Sequence, residues 1–307
     1  MKKILVATEK PFASAAIKEI KAVADVGGYE LRLLEKYAGK TELLNAVTDV
    51  EGLIVRSDKI DDEVLKAGGN LKIVVRAGAG YDNIDLVAAK NRGICVMNTP
   101  GQNSNAVAEL AFGLMVMMAR NGYKGTSGKE LKGKTIGFHG AGNVVFEMAR
   151  IAKGFGMNVM VWNHRRTAEK AKAIGGIPAF SLEELYSRCD YLSINIPFTG
   201  NTRQCIGFDL LSLLPEGAVL VNTSRKELIC EHDLFKIMEM RSDLKYVADV
   251  APVSADQFET RFKGRIFFTP KKMGAQTAEA NVNSGKAAAK QIVDYLEKGI
   301  DTFQVNK

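Results

Sequence analysis

Thr135-Ile136-Gly137-Phe138-His139-Gly140-Ala141-Gly142-Asn143-Val144-Val145 is the stretch on which the reading turns. A short apolar run enters a Gly-x-Gly pair, and a helical stretch, Phe146 to Lys153, follows. A lone Gly-x-Gly can be an ordinary strand-to-helix turn, but the strand before it and the helix after it favour a dinucleotide-binding turn. The first glycine permits the tight bend. The second lets the backbone approach a pyrophosphate, whose charge meets the helix N-terminus. Gly140, Gly142, Asn143 and Val144 are therefore candidate cofactor ligands. The third glycine of the usual pattern is replaced by Val145, so the helix is expected to stand slightly further from its strand.

The next apolar run ends at Trp162-Asn163. An acidic residue there would bond the adenosine ribose hydroxyls. The chain has Asn163-His164-Arg165-Arg166 instead. A neutral amide followed by guanidiniums suits a 2′-phosphate. Asn163, His164 and Arg165 are thus candidate ribose-side ligands, and they favour NADP, with NAD as the alternative.

Working outward, short apolar runs alternate with helical stretches along the whole chain. They are Ile4–Ala7, Leu53–Val55, Ile73–Val75 and Ile94–Met97, then Thr135–Phe138, Val159–Trp162, Tyr191–Ile196, Val219–Asn222, Tyr246–Val250 and Ile266–Phe268. Runs apolar on both faces are buried parallel strands, and βα alternation implies helices on both sides of the sheet. Ten strands are many for one sheet, and 307 residues suit two domains. The expected fold is α/β, with two doubly wound parallel-sheet domains. Asn98-Thr99-Pro100-Gly101 is a turn, and Val107, Leu110, Ala111, Leu114, Met115 and Met118 have the spacing of a following helix. A last helix is expected near Thr277 to Lys298.

A net charge of +7 fits anionic ligands, and no aromatic-flanked basic stripe marks a nucleic-acid surface. The four cysteines, Cys95, Cys189, Cys205 and Cys230, form no CxxC pair; they read as reduced thiols in a cytoplasmic protein, with no metal expected. No run approaches membrane-spanning length, and the N-terminal run is too short for a signal peptide.

Five ordered segments together resemble the D-isomer-specific 2-hydroxyacid dehydrogenase family. They are Val75-Arg76-Ala77-Gly78-Ala79-Gly80-Tyr81-Asp82-Asn83-Ile84-Asp85, Asn98-Thr99-Pro100-Gly101-Gln102-Asn103, the Gly-x-Gly turn, Val221-Asn222-Thr223-Ser224-Arg225 and Asp249-Val250. Thr8-Glu9-Lys10-Pro11-Phe12 and Thr269-Pro270-Lys271-Lys272-Met273-Gly274-Ala275-Gln276-Thr277 are similar to its short 3-phosphoglycerate dehydrogenase branch, which lacks a regulatory domain. Serine feedback at such a domain is then not expected. The resemblance implies a flavodoxin-like substrate domain, residues 1–98 with 284–307, and a Rossmann dinucleotide domain, residues 99–283. It also implies a cleft at the crossovers and a homodimer joined through the dinucleotide domain.

Hydride transfer from C2 of a hydroxy acid needs an anchored carboxylate, a polarised C2 oxygen and a base. The resemblance assigns the anchor to the backbone of Gly78, Ala79 and Gly80, and the polarising role to Arg225. It supports Arg56 most as a phosphate ligand; Arg76 and Lys59 are further cations at strand ends, and Asn103 is a further polar contact. Ile196 and Pro197 would line the adenosine side, Asp249 would bond the nicotinamide amide, and Thr223 and Gly274 would complete the cofactor site.

The family's usual base is a His directly after a Pro, helped by a Glu five residues past the strand Asp. Here Pro270 is followed by Lys271 and Lys272, and the Glu position counts to Ser254. A lysine acts as a base only through its neutral form, which burial beside Arg225 would favour. Lys271 is the first choice and Lys272 the second. The small anionic substrate is expected to be 3-phosphoglycerate. Two alternatives remain: an NADPH-dependent glyoxylate or hydroxypyruvate reductase, and a cofactor-sensing binding protein without turnover.

Overall fold

Strands apolar on both faces must be covered on both faces. A computed structural model, which describes residues 2–307, meets this demand twice. The chain forms two compact units: one runs to Asn103 and resumes at Gln276, and the other spans Ser104–Ala275.

The first unit runs β1 (Lys3–Thr8), α1 (Ser14–Val26), β2 (Glu30–Glu35), α2 (Lys40–Ala46), β3 (Gly52–Val55), α3 (Asp62–Ala67), β4 (Ile73–Arg76), α4 (Leu86–Asn91) and β5 (Cys95–Asn98). Its sheet is parallel, in the order β2-β1-β3-β4-β5, which is the flavodoxin-like order. Side chains alternate across a strand. Ile4 and Val6 accordingly join one core, and Leu5 and Ala7 join the other.

The second unit opens with α5 (Ser104–Ala119). It continues through β6 (Thr135–His139), α6 (Asn143–Gly154), β7 (Asn158–Trp162), α7 (Thr167–Ile174), β8 (Ile177–Pro178), α8 (Leu182–Arg188) and β9 (Tyr191–Ile194). Then come α9 (Phe208–Ser212), β10 (Val219–Asn222), α10 (Glu231–Met240), β11 (Lys245–Ala248), α11 (Ala255–Arg261) and β12 (Ile266–Phe268). The parallel order β12-β11-β10-β9-β6-β7-β8 reverses direction beside β6, where the glycine turn lies. That is the switch point at which open α/β sheets bind ligands. Val145 is fully buried in the core shared by α5 and α6, so its side chain fills the helix–sheet contact.

The chain then returns as α12 (Ala278–Lys298), which packs on α1 of the first unit. Its buried face starts at Ala280 and continues through Ser284, Gly285, Ala288, Ala289 and Ile292. The division between units therefore falls before Gln276, not at 284, because the helix belongs to the first unit from its first turn. The other division falls after Asn103, not after 98; residues beyond β5 stay tied to the first unit through the Thr99 N–H, which donates to the Gly78 carbonyl at 3.0 Å.

Two strands lie outside the ten expected. β2, Glu-Leu-Arg-Leu-Leu-Glu, is a half-exposed edge strand with charged ends. β8 is two residues long and contains a proline at the opposite edge of the other sheet. Edge strands lack the two-sided apolar signature that marks central ones. No helix among the described residues is long and apolar enough to cross a membrane.

Candidate active site

Gly140 takes a φ of +104°. A Cβ there would come within 2.6 Å of the Asn195 carbonyl oxygen, so both backbone and space require glycine. Gly142 caps α6 in an extended conformation with no side-chain bond, and the first turn, which begins Asn143-Val144, has no acidic residue. The N–H groups of that turn suit an anion. This cradle fits the pyrophosphate of a nicotinamide dinucleotide.

Asn163 stitches the neighbouring turn to the glycines. Its Oδ1 accepts from the Ala141 N–H at 3.0 Å, and its Nδ2 donates to the Arg165 carbonyl at 2.6 Å. His164, Arg165 and Arg166 are exposed, with Arg166 held in a left-handed conformation 3.7 Å from Glu169. Ile196 and Pro197 follow β9, and the Pro197 carbonyl accepts from Thr202 Oγ1. Beneath the glycine turn, His139 Nδ1 lies 3.1 Å from Tyr186 Oη, with both residues buried. Burial pushes the His139 imidazole down to about 4, so it stays neutral. His164 and His232 are exposed.

β10, β11 and β12 are neighbours, so Arg225, Asp249 and the two lysines follow one carboxyl edge of the sheet. The outer two strands stand roughly 10 Å apart at two inter-strand spacings. Asn222 shapes the first of these loops: its Oδ1 accepts from the Ser224 N–H at 3.0 Å and its Nδ2 donates to the Arg225 carbonyl at 2.9 Å. Ser224 Oγ donates across to the Ile194 carbonyl at 2.9 Å. Thr223 is buried and Arg225 partly exposed.

Asp249 is 1% exposed and turns inward. Its Oδ1 accepts from the Met273 N–H at 2.7 Å and Thr269 Oγ1 at 3.1 Å; its Oδ2 accepts from the Gly274 N–H at 2.8 Å. The expected nicotinamide ligand is thus bonded to its own loop, because a buried carboxylate needs donors and the adjacent backbone supplies them. Lys271 and Lys272 lie in that loop and are exposed, whereas burial was expected of the lysine base. Asp249→Ala is expected to lower unfolding stability by ~1–3 kcal/mol, as buried donors lose their acceptor; chemical denaturation checks this.

Ser254, at the position of the family's Glu, donates through both its N–H (2.7 Å) and its Oγ to the Glu231 carboxylate, which also accepts from the Val253 N–H at 2.8 Å. Burial would raise the Glu231 carboxyl, but these donors and the Lys226 charge outweigh it and hold it below the usual range. Local spacing gave no sign of Glu231, which lies on a separate helix.

In the first unit, Arg56 and Arg76 lie at the carboxyl ends of β3 and β4. Arg56 Nη1 donates to the Lys10 and Pro11 carbonyls, both at 3.1 Å, and Nη2 to Gln276 Oε1 at 3.2 Å. Arg76 Nε donates to the Arg56 carbonyl at 2.9 Å. Gly78 has a φ of +147°, and a Cβ on it would fall on the Arg76 guanidinium. The Gly78–Gly80 loop is braced from β5, where Asn98 Nδ2 donates to the Ala79 carbonyl at 2.6 Å. Ala79 is exposed, Gly80 and Asn103 are partly exposed, and Lys59 is exposed. Sequence reasoning passed over Asp58, whose polar setting suggests a surface loop although only 4% of it is exposed.

A Rossmann sheet with a glycine cradle at its switch point and a flavodoxin-like unit, carried by one chain, define a two-domain nicotinamide-linked oxidoreductase. The chain belongs to the D-isomer specific 2-hydroxyacid dehydrogenase family, whose catalytic-domain model matches residues 4–306. It is an NAD(P)-dependent 2-hydroxyacid dehydrogenase. It is 36% identical over 293 residues to the hydroxypyruvate reductase of Thermotoga maritima, covering 88% of this chain and 92% of that one. It is 34% identical to the D-3-phosphoglycerate dehydrogenase of Methanocaldococcus jannaschii, spanning 100% of this chain but 60% of that longer protein. The crystal structure of cofactor (NAD+)-bound 3-phosphoglycerate dehydrogenase from Entamoeba histolytica superimposes with a TM-score of 0.92 at 47% identity, covering 100% of this chain and 99% of that one.

Proposed function

We propose that the chain interconverts 3-phosphoglycerate and 3-phosphohydroxypyruvate. The observation that carries this is the Arg56–Arg76 pair beside the glycine loop. A carboxylate and a phosphate together call for more cationic groups than an unphosphorylated hydroxy acid does. The Entamoeba histolytica likeness supports the same substrate.

In this reading Arg56 and Arg76 bind the phosphate, with the Gly78–Gly80 amides on the carboxylate. Arg225 polarises the C2 oxygen. A nicotinamide dinucleotide held at the Gly140–Gly142 turn would supply the hydride acceptor for the oxidation. The hydroxyl proton passes to Lys271, which returns it during reduction. The decisive measurement is kcat/KM for 3-phosphohydroxypyruvate against hydroxypyruvate and glyoxylate. A preference for the phosphorylated acid is expected, and equal or reversed preference overturns the assignment.

A second reading, an NADPH-linked hydroxypyruvate reductase, draws on the Thermotoga maritima relative and on exposed Arg165 and Arg166. We assign these guanidiniums to a 2′-phosphate, with NADP favoured over NAD. Arg165→Ala combined with Arg166→Ala is expected to reduce the NADPH-to-NADH ratio of kcat/KM by about tenfold or more, since charge-assisted bonds of ~1.5–3 kcal/mol are lost. Steady-state kinetics with each cofactor checks it, and an unmoved ratio rejects the 2′-phosphate role.

A further inference from the structure

We propose that Asp58 and Tyr37 are positioning residues that set the selectivity of the Arg56 site for a phosphorylated substrate. This rests on the reading of Arg56 as a phosphate ligand. Asp58 joins the loops that follow four adjacent strands. Its Oδ1 accepts from the Glu9 N–H at 2.7 Å, beyond β1, and from Tyr37 Oη at 2.8 Å, beyond β2. Its Oδ2 accepts from the Arg56 N–H at 3.3 Å, beyond β3, and its carbonyl from Asn83 Nδ2 at 2.7 Å, beyond β4. The sheet order β2-β1-β3-β4 makes these four loop ends neighbours.

The consequence falls on Arg56. Glu9-Lys10-Pro11 is clasped from both sides: Asp58 holds the Glu9 amide, and the Arg56 guanidinium holds the Lys10 and Pro11 carbonyls. Thr8 Oγ1 donates to the same Lys10 carbonyl at 2.7 Å. The Phe12 ring, 5.2 Å away, lies against the guanidinium. The fork is thus aimed by carbonyls whose own positions depend on Asp58. Tyr37 completes the arrangement as a donor: burial, then the bond to Asp58, pushes its phenol above the ordinary range. Bidentate recognition tolerates displacement of only roughly 0.5 Å, so a loosened loop degrades phosphate binding before it degrades the chemistry at C2.

Tyr37→Phe and Asp58→Asn separate this from a purely structural role. With 3-phosphohydroxypyruvate, each is expected to raise KM about tenfold, equivalent to ~1.4 kcal/mol, while kcat stays within about twofold. With hydroxypyruvate, KM and kcat are expected to stay at wild-type values. Arg56→Ala is measured alongside. If it abolishes the preference while well-folded Tyr37→Phe and Asp58→Asn leave the preference intact, the positioning role is wrong and the Arg56 reading stands. If Arg56→Ala also leaves the preference intact, both fall. Equal losses on both substrates in the Tyr37 and Asp58 variants mean a structural role and overturn the proposal. Should Asp58→Asn fail to fold, Tyr37→Phe, which deletes one hydroxyl, decides the matter.

Discussion

Arg225→Ala is expected to lower kcat by about 10²–10³-fold, the usual loss when a donor to a developing oxyanion is removed. In the reduction the C2 carbonyl oxygen gains negative charge as hydride arrives. A guanidinium aimed at that oxygen stabilises the transition state more than the ground state, which is the condition for raising kcat. The loop that presents Arg225 is fixed through Asn222 and Ser224, whose bonds use backbone atoms and their own side chains. Alanine removes the fork together with its own bond to the Ser224 carbonyl (3.1 Å), and leaves the Asn222 and Ser224 side-chain bonds in place. Arg225→Lys keeps a positive charge but loses the planar pair of donors, so it is expected to recover little. Steady-state kinetics with 3-phosphohydroxypyruvate, together with an unchanged melting temperature, gives the measurement. Wild-type turnover by the alanine variant removes Arg225 from the chemistry.

Lys271→Ala should lower kcat by about 10²–10⁴-fold, the range for loss of a general acid–base, with Lys272→Ala within about tenfold of wild type. The two lysines sit between anchored points. Thr269 Oγ1 lies 2.9 Å from the Lys271 carbonyl, and the Asp249 carboxylate holds the Met273 and Gly274 amides. That leaves long side chains on a fixed backbone, as a proton carrier requires. Lys271→Arg tests the chemistry separately from the charge, because a guanidinium does not deprotonate and is expected to be as inactive as alanine. If the two alanine variants exchange phenotypes, Lys272 carries the proton. Near-normal turnover by both rejects lysine as the acid–base.

What could be read from the sequence was whatever local chemistry writes into residue type. The glycine turn was legible because at Gly140 only glycine accepts the backbone and its approach to Asn195. The central strands were legible because burial on both faces leaves uninterrupted apolar runs. β2 was not, since an edge strand shares its charged composition with a loop. The inward bonds of Asp249, the Glu231–Ser254 pairing and the Asp58 junction were hidden for one reason. Each joins residues from different loops or helices, and no spacing within a local stretch encodes such a pairing. An aspartate in a polar stretch, such as Asp58, looks like surface until Tyr37 is seen to bond it.

The return of α12 to the first unit has a consequence for how the chain matures. Residues 104–275 are contiguous, so that unit can close as soon as it leaves the ribosome, and domains generally fold as they emerge. The sheet made earlier has to wait. One of its cores lacks Ala288, Ala289 and Ile292, and its last strand lacks the Asn306 acceptor for the Val96 amide, until the far end of the chain is synthesised. The segment up to Asn103 is thus made before the second unit but completed after it, and the apolar face that awaits α12 stays uncovered in the interval.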